Sequence, residues 1–331
     1  MEFNNFFETI ILDVDNSVVN QIDLIKKLDA TIIPLQQESE RYRFYCKHKD
    51  MLALRNIVIE KSITSKPKLI LYGSGDYHNL AYIGLSLIKE DVTVIHFDNH
   101  TDWWKFPIHN YHFFGDWVVW ALKMKNVKKV IQFGIDGDLT LKPNLPPVGT
   151  FTHRLDLLLN GKIEMYPYAM EHSTFWGRIK GNTKCVTFKP SWFKTKAHWK
   201  NLSNPQNAKE ILDGLIDSIK TESVYFSIDK DVFDEKVNFA AYPKLQGTIP
   251  LEMVTTIITK IAQNKKVVGI DICGDGSTMK GGNSIIKKFM INQKEKTLNP
   301  SVFTSKENIT LNQNVNLSII EAFEKALKLC N

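Results

Sequence analysis

The segment Val92–Asp102 reads VTVIHFDNHTD, an apolar run that passes directly into acidic and imidazole side chains. A run that is apolar on both faces is typical of a strand in a parallel sheet covered by helices on both sides. In extended backbone, residues two apart point to the same side, so Asp98, His100 and Asp102 can converge. The segment predicts a buried strand that ends in a cluster of metal-type ligands.

Two further segments have the same form. Leu69–His78 reads LILYGSGDYH and Val224–Asp231 reads VYFSIDKD, so each apolar run again leads into acidic or imidazole residues. In open parallel sheets, ligands bind at the carboxyl ends of the strands, and all three clusters sit at such ends. We therefore expect one joint metal site whose ligands are His78, Asp98, His100, Asp102, Asp229 and Asp231.

The composition of this ligand set predicts two metal ions. Four carboxylates packed together repel one another unless they are protonated or compensated by cations. Two divalent ions carry a charge of +4, which matches the four carboxylates. Oxygen-rich ligands with some imidazole favour manganese or a similarly hard ion, and paired ions can activate water beside an electrophile. The residues alone thus predict a binuclear metallohydrolase.

The rest of the chain indicates the fold class. Strand-like runs alternate with helical stretches, which predicts an α/β fold with helix layers on both faces of a mostly parallel central sheet. The remaining predicted strands are 129–133 and 267–270. The clearest predicted helices are 116–125, 208–220 and 251–264.

Two segments do not follow this alternation. Residues 139–205 are rich in proline, asparagine and aromatic residues, and residues 274–300 are rich in glycine and lysine. Long irregular segments inside a domain are usually functional loops or lids, so we expect irregular insertions at both places. No internal repeat or linker divides the sequence, which favours a single domain over residues 1–331.

Composition excludes several function classes. The 331 residues include 42 Lys and Arg against 36 Asp and Glu, and this surplus of +6, taken as dispersed over the chain, does not indicate a nucleic-acid partner. The four cysteines share no short spacing, which argues against a zinc cage or a disulfide framework. No apolar stretch approaches the ~20 residues of a membrane span. We expect a cytoplasmic protein without a membrane partner; assembly into a homo-oligomer stays open.

The motifs G-D-x-H, F-D-N-H-T-D and S-I-D-K-D resemble the signatures of the arginase–agmatinase–formiminoglutamase (ureohydrolase) superfamily, over about residues 66 to 275. The resemblance implies an arginase-like three-layer α/β/α fold and two Mn²⁺ ions. It also implies hydrolysis of a guanidinium group with release of urea. By matching positions, one ion would take His78, Asp98, Asp102 and Asp229, and the other Asp98, His100, Asp229 and Asp231.

The sequence departs from the family pattern at positions that concern catalysis. The family's guanidinium-binding acid is expected three residues after Asp271, where this chain has Gly274; Asp275 is the nearest replacement. The family's proton-shuttling histidine follows the D-x-H-x-D segment. His112 is the better candidate for that role, and His109 is the second.

The residues after Asp102 bear on the substrate. We expect Trp103 or Trp104 to line the mouth of the site, where an aromatic ring can stack on a guanidinium. No polar cluster suited to an amino-acid carboxylate follows them. Divergent relatives include peptide arginases, so the partner is expected to be an arginine-containing peptide, giving ornithine, or a small guanidinium compound. The alternatives are a metal-dependent amide deacylase of the same fold and an inactive, metal-stabilised binding module.

Overall fold

The computed structural model describes residues 6–105, 108–136, 152–241, 245–277, 284–285, 287–288, 291 and 300–329. The strands of this part of the chain are β1 (Glu8–Asp13), β2 (Ala30–Pro34), β3 (Tyr45–Lys47), β4 (Lys68–Leu71), β5 (Val92–Phe97), β6 (Trp104–Lys105), β7 (Tyr111–Phe113), β8 (Val127–Phe133), β9 (Thr152–His153), β10 (Ile163–Tyr166), β11 (His172–Trp176), β12 (Val186–Pro190), β13 (Lys194–Trp199), β14 (Ser223–Asp229) and β15 (Lys266–Cys273).

Its helices are α1 (Ile22–Lys27), α2 (Ser39–Tyr42), α3 (His48–Lys61), α4 (Ala81–Ser86), α5 (Trp117–Lys123), α6 (Leu155–Leu159), α7 (Pro205–Asp213), α8 (Leu215–Ser218), α9 (Leu251–Ala262) and α10 (Lys306–Lys328). Short 3₁₀ turns follow three site-bearing segments, at Gly75–Leu80, Phe114–Asp116 and Lys230–Val232. None of the described helices combines the length and the apolar character needed to cross a membrane.

Eight strands form the central sheet in the order β10-β8-β5-β14-β15-β4-β1-β2, and every adjacent pair is parallel. The strands β5, β14, β15 and β4 are consecutive, and their ends are level because Phe97 pairs with Ile228 and Leu71 pairs with Ile272. The three ligand-bearing segments predicted from the sequence therefore leave the same edge of the sheet, near its middle.

Helices cover both faces of this sheet. Along β1, Ile11 packs into one apolar cluster while Ile10 and Leu12 pack into the other, as the alternation of side chains in a strand requires. The first cluster includes side chains of α5, α7, α9 and α10, and the second includes side chains of α3 and α4. The predicted three-layer α/β/α architecture with a parallel central sheet is confirmed.

The segment 139–205 differs from its prediction. Where it is described, it holds β10, which extends the central sheet, and a separate antiparallel sheet in the order β11-β13-β12. Of the residues that suggested loops, Pro167 directly follows β10, Pro190 ends β12, and Trp199 is buried in the packed face of this small sheet. Residues 137–151 and most of the other predicted insertion, 274–300, lie outside the described residues. The extent of a single domain over 1–331 stays a prediction.

Candidate metal centre

Three carboxylates converge on one imidazole nitrogen at the carboxyl edge of the sheet. His78 lies in the 3₁₀ turn Gly75–Leu80 after β4, and its Nδ1 is 3.3 Å from Asp98 Oδ2, 3.0 Å from Asp102 Oδ2 and 3.5 Å from Asp229 Oδ2. Asp98 follows β5 directly and Asp229 ends β14. These contacts bring together the four residues that the sequence assigned to one metal ion.

A second group adjoins the first. His100 Nδ1 lies 2.8 Å from Asp231 Oδ2 and 3.5 Å from Asp98 Oδ1. Asp98 thus turns one carboxylate oxygen to His78 and the other to His100, which is the placement of a ligand shared by two ions. The structure brings all six predicted ligands into one place, and their roles as ligands remain a prediction.

The geometry of the cluster fits a cation. His78 is buried, and its Nδ1 makes no hydrogen bond of good geometry within the described part of the chain, although three carboxylate oxygens lie within 3.5 Å. A buried polar atom without a partner is costly and needs an explanation such as an ion. The donor set of imidazole nitrogen and carboxylate oxygen suits a hard divalent metal. These residues are a buried His/Asp group that could bind metal.

The pKa values of the clustered carboxylates are shifted by burial and by neighbouring charges. Burial, together with the charges of Asp231 and Asp98, raises the pKa of Asp229 well above its ordinary value. Burial opposes ionisation of Asp98 too, but the neighbouring imidazoles of His100, His78 and His96 hold the pKa of Asp98 well below its usual range. Such opposed shifts among neighbouring groups are typical of a site that a cation would neutralise.

Residues behind the ligands fix their orientation. His78 Nε2 lies 3.0 Å from Ser227 Oγ, and the Ser227 hydroxyl donates to Asp271 Oδ1 at 2.9 Å. Trp117 Nε1 donates to Asp102 Oδ2 at 2.8 Å. Outer contacts of this kind hold a ligand in its binding orientation and tune its basicity. Trp117, which is fully buried in the core, serves this purpose for Asp102.

His96 is a site residue that the sequence analysis missed. It is fully buried on β5, and its Nε2 lies 2.9 Å from Asp98 Oδ2. The signal was available in the sequence, because His96 stands two residues before Asp98 and therefore points to the same side of the strand.

Two glycines allow the segments to approach the ligands. A Cβ on Gly75 would lie 2.5 Å from Asp229 Oδ2. Gly274 has a φ of +96°, and a Cβ there would lie 2.3 Å from the backbone nitrogen of Lys230. In this backbone position 274 accommodates no side chain, so an acid at this position would require the segment to shift.

Asp275, the nearest replacement for that acid, points elsewhere. It is buried, forms an ion pair with the fully buried Lys230, and accepts a hydrogen bond from Gln21 Nε2 at 3.0 Å. It does not line the cavity at the metal cluster. This placement does not favour a role for Asp275 in binding a guanidinium.

The two histidines proposed as proton shuttles also lie away from the cluster's cavity. His112 lies on β7, fully buried, with its Nε2 2.8 Å from His48 Nδ1 and its ring stacked on Trp120 at 4.2 Å. His109 is exposed in the turn before β7. Neither placement favours a shuttle role, since a shuttle must reach the reacting groups.

We expect His112 to act on stability and not on turnover. Burial, with the charges of His48 and Lys123, lowers the pKa of His112 to about 3. In the unfolded chain this histidine has an ordinary pKa of about 6.5, so below that pH the unfolded chain binds a proton that the folded chain does not bind. The free energy of unfolding therefore falls as the pH drops from about 6.5 toward 3, by up to about 1.4 kcal/mol per pH unit. Denaturant unfolding across this range should show the loss, and His112→Phe should flatten it while turnover is retained. His109→Phe, which replaces an exposed histidine, is the control for the substitution itself. A His112→Phe protein without turnover would contradict this view.

The cluster opens into a cavity of about 180 Å³. Its floor is formed by the ligands and by Asp76, and its wall is apolar, formed by Trp104, Phe114, Ala240, Ala241 and Leu245. Of the two predicted mouth residues, Trp104 lines this cavity and Trp103 does not. Trp103 is fully buried and donates from Nε1 to Gln132 Oε1 at 3.2 Å.

Comparisons with known proteins agree on the fold. No protein-family profile and no curated protein sequence matches the chain. Solved structures that match include formimidoylglutamase from Bacillus subtilis subsp. subtilis str. 168, with 14% identity, a TM-score of 0.55 and coverage of 98% of this chain and 89% of that chain. Arginase from Bacillus subtilis matches with 12% identity, a TM-score of 0.54 and coverage of 96% and 98%.

The proclavaminate amidino hydrolase from Streptomyces clavuligerus also matches, with 11% identity, a TM-score of 0.52 and coverage of 98% of this chain and 94% of that chain. The likeness thus extends over almost the whole length of the chain and of these proteins. The resemblance seen in the sequence motifs is confirmed at the level of the architecture. The chain has an arginase-like fold.

Proposed function

We propose that the protein is a hydrolase of the ureohydrolase type, which cleaves a guanidinium group and releases urea with two Mn²⁺ ions as cofactors. The observation that carries the proposal is the position of Asp98, whose two carboxylate oxygens face the His78 group and the His100 group separately. The arginase-like fold supports the same activity.

Each residue group has a defined part in this proposal. His78, Asp98, Asp102 and Asp229 would hold one ion, and Asp98, His100, Asp229 and Asp231 the other. When bound, a pair of divalent ions supplies a water-derived nucleophile at neutral pH and polarises the substrate. Trp117 and Ser227 keep Asp102 and His78 in their binding orientations, and the apolar wall around Trp104 excludes bulk water from the ligands.

The wall of the cavity favours a substrate other than a free amino acid. Among the described residues that line the cavity there is no lysine or arginine to pair with an α-carboxylate. Burying an unpaired carboxylate is costly, whereas an aliphatic chain with a guanidinium end fits an apolar wall above an acidic floor. We propose an arginine side chain within a peptide as the substrate, converted to ornithine.

The direct test is a urea assay. The manganese-loaded protein is incubated with arginine, agmatine and arginine-containing peptides, and urea is measured together with ornithine in the peptide by mass spectrometry. Urea from peptides in preference to free arginine supports the proposal in full, and urea from agmatine or arginine alone supports the reaction but not the peptide substrate. Acetate from acetylated substrates without urea would favour the deacylase alternative. The absence of any product would favour the binding module.

Asp76 is the acid best placed to bind the guanidinium. It is buried and it lines the cavity. Among the described acidic residues that line the cavity, it is the one that belongs to neither proposed set of metal ligands. Its Oδ2 lies 3.9 Å from Nε of the buried Arg43. An ionised carboxylate makes strong, charge-assisted hydrogen bonds to a guanidinium.

The substitution Asp76→Asn should raise the KM for the guanidinium substrate about ten- to a hundred-fold, because one charge-assisted hydrogen bond is lost. Metal content should stay at two ions per chain. Asp15→Asn is a matched control: Asp15 Oδ2 lies 4.0 Å from Arg43 Nη2, outside the residues that line the metal cavity. Steady-state kinetics and metal analysis of both variants decide the matter. An unchanged KM in Asp76→Asn, or an equal rise in Asp15→Asn, would contradict the assignment.

A further inference from the structure

The small antiparallel sheet β11-β13-β12 carries an aromatic tip. Its β12–β13 hairpin turns at Ser191–Phe193, where Trp192 is 86% exposed and Phe193 is 73% exposed. Their rings meet edge to face with centroids 6.2 Å apart. Large apolar side chains that project together from a surface mark a site of contact with another body.

The charge surplus of the chain is concentrated in the same sheet. Residues 171–200 contain seven basic residues and one acid, Glu171, which leaves 35 basic and 35 acidic residues in the remainder of the chain. The expectation that the surplus is dispersed was wrong, because it rested on the total alone. The basic residues are Arg178, Lys180, Lys184, Lys189, Lys194, Lys196 and Lys200.

Three lysines lie on the outer face of this sheet. Thr195, Ala197 and Trp199 of β13 are buried against the body, so Lys194 and Lys196 point outward. Lys196 lies directly opposite Lys189 of β12. Like charges at directly opposed positions of a sheet destabilise it, and neither lysine has an acidic partner within 4 Å in the described part of the chain. The arrangement is therefore suited to an anionic partner.

More positive charge gathers at the tip itself. The Gly177 backbone N–H donates to the Phe193 carbonyl oxygen at 2.9 Å, and Thr195 Oγ1 donates to the Gly177 carbonyl oxygen at 2.8 Å. These bonds hold the segment after β11 against the hairpin turn. The exposed Arg178 next to Gly177 is thus placed beside Trp192 and Phe193.

We propose that this hairpin tip binds the surface of an anionic phospholipid membrane, with Trp192 and Phe193 entering the boundary between headgroups and acyl chains. Aromatic side chains favour that boundary, and basic residues around them are attracted to anionic lipids. Trp192 keeps 86% of its surface at the tip of the hairpin, and an aromatic side chain that projects in this way can enter a planar bilayer interface. The expected lack of a membrane partner rested on the lack of a spanning segment, which does not bear on an interfacial contact.

The test is vesicle co-sedimentation of the full chain, with phosphatidylcholine vesicles and with vesicles that also contain phosphatidylglycerol. The protein should bind the vesicles that contain phosphatidylglycerol and should not bind the vesicles of phosphatidylcholine only. The triple variant Lys189→Gln, Lys194→Gln, Lys196→Gln should bind them on the order of a hundred-fold more weakly, at about five-fold per lysine. The variant Trp192→Ser, Phe193→Ser should also lose binding. Quenching of tryptophan fluorescence by brominated lipid should disappear in Trp192→Phe.

Control variants remove the same number of charges and one exposed apolar side chain elsewhere. Lys26→Gln, Lys61→Gln, Lys89→Gln neutralises three exposed lysines, and Ile63→Ser removes an 82% exposed apolar side chain. Both should bind like the parent, and every variant should unfold at the parent's temperature. Absence of vesicle binding, equal binding to neutral vesicles, or binding unaffected by the tip variants would overturn the proposal. Binding to polyglutamate or single-stranded RNA without binding to vesicles would overturn it as well.

Discussion

The variant Asp98→Asn is expected to lose both metal ions and to form urea at least on the order of a thousand-fold more slowly than the parent. Asp98 is the residue whose two oxygens reach both groups, at 3.3 Å from His78 Nδ1 and 3.5 Å from His100 Nδ1. An amide offers one neutral oxygen instead of two charged ones. It therefore cannot hold two cations, and it removes a quarter of the negative charge of the cluster.

Metal analysis by mass spectrometry and the urea assay measure the two effects separately. Ser227→Ala is the graded control, because Ser227 contacts the far nitrogen of His78 and touches neither group of carboxylates directly. Loss of such an outer contact is expected to lower metal affinity or activity about 10- to 100-fold, less than the loss of Asp98. If Asp98→Asn retains two ions and full turnover, the proposed centre is wrong. If it loses thermal stability while the parent itself makes no urea, the binding-module alternative gains support.

The ligands could be predicted from the sequence because the rule that places them is local. Asp98, His100 and Asp102 follow a buried strand at intervals of two, and parallel strands end at one edge. The same rule reaches His96, which was overlooked. It also places Lys230, between Asp229 and Asp231, on the side away from the cavity, where the structure has it.

The rule fails beyond Asp102 because the backbone turns there. Asp102 has a φ of 50°, a left-handed conformation that is rare for a residue with a side chain. The residues that follow no longer share the direction of the strand, so Trp103 enters the core and Trp104 reaches the cavity. A non-glycine residue in this conformation at a metal cluster is also the kind of strain that functional sites retain.

Non-local pairing explains the remaining differences. The position of His112 is set by the pairing of β7 with β3, which joins it to Cys46 and brings His48 against its ring. No spacing within the sequence around His112 indicates such a contact. The small sheet was not predicted for another reason. Lys194–Trp199 alternates exposed and buried residues as a strand should, but the prolines and tryptophans of the segment 139–205 suggested a loop.

The buried ion pair between Lys230 and Asp275 supports the second large prediction. Lys230 is fully buried between two metal ligands, and Asp275 is 1% exposed. Removing one member leaves the other charge buried without compensation, which costs about 3–5 kcal/mol, whereas replacing both members by apolar residues of similar size is often neutral. Lys230→Met should therefore lose about 3–5 kcal/mol of unfolding free energy, as should Asp275→Leu, and the double variant should recover most of the loss.

Denaturant unfolding of the metal-free protein measures these differences without the contribution of bound ions. Lys266→Met is the matched control, because Lys266 pairs with Glu90 at 2.9 Å but is 64% exposed, so its loss should cause little change. The double variant also tests the role of Asp275. Because it keeps Asp229, Asp231 and Asp76, it should retain metal binding and turnover with an unchanged KM. A stable double variant that binds two ions but has a greatly raised KM would instead indicate that Asp275 contributes to substrate binding. If the double variant is as unstable as the single variants, the pair stabilises the fold through its packing and not through the compensation of two buried charges.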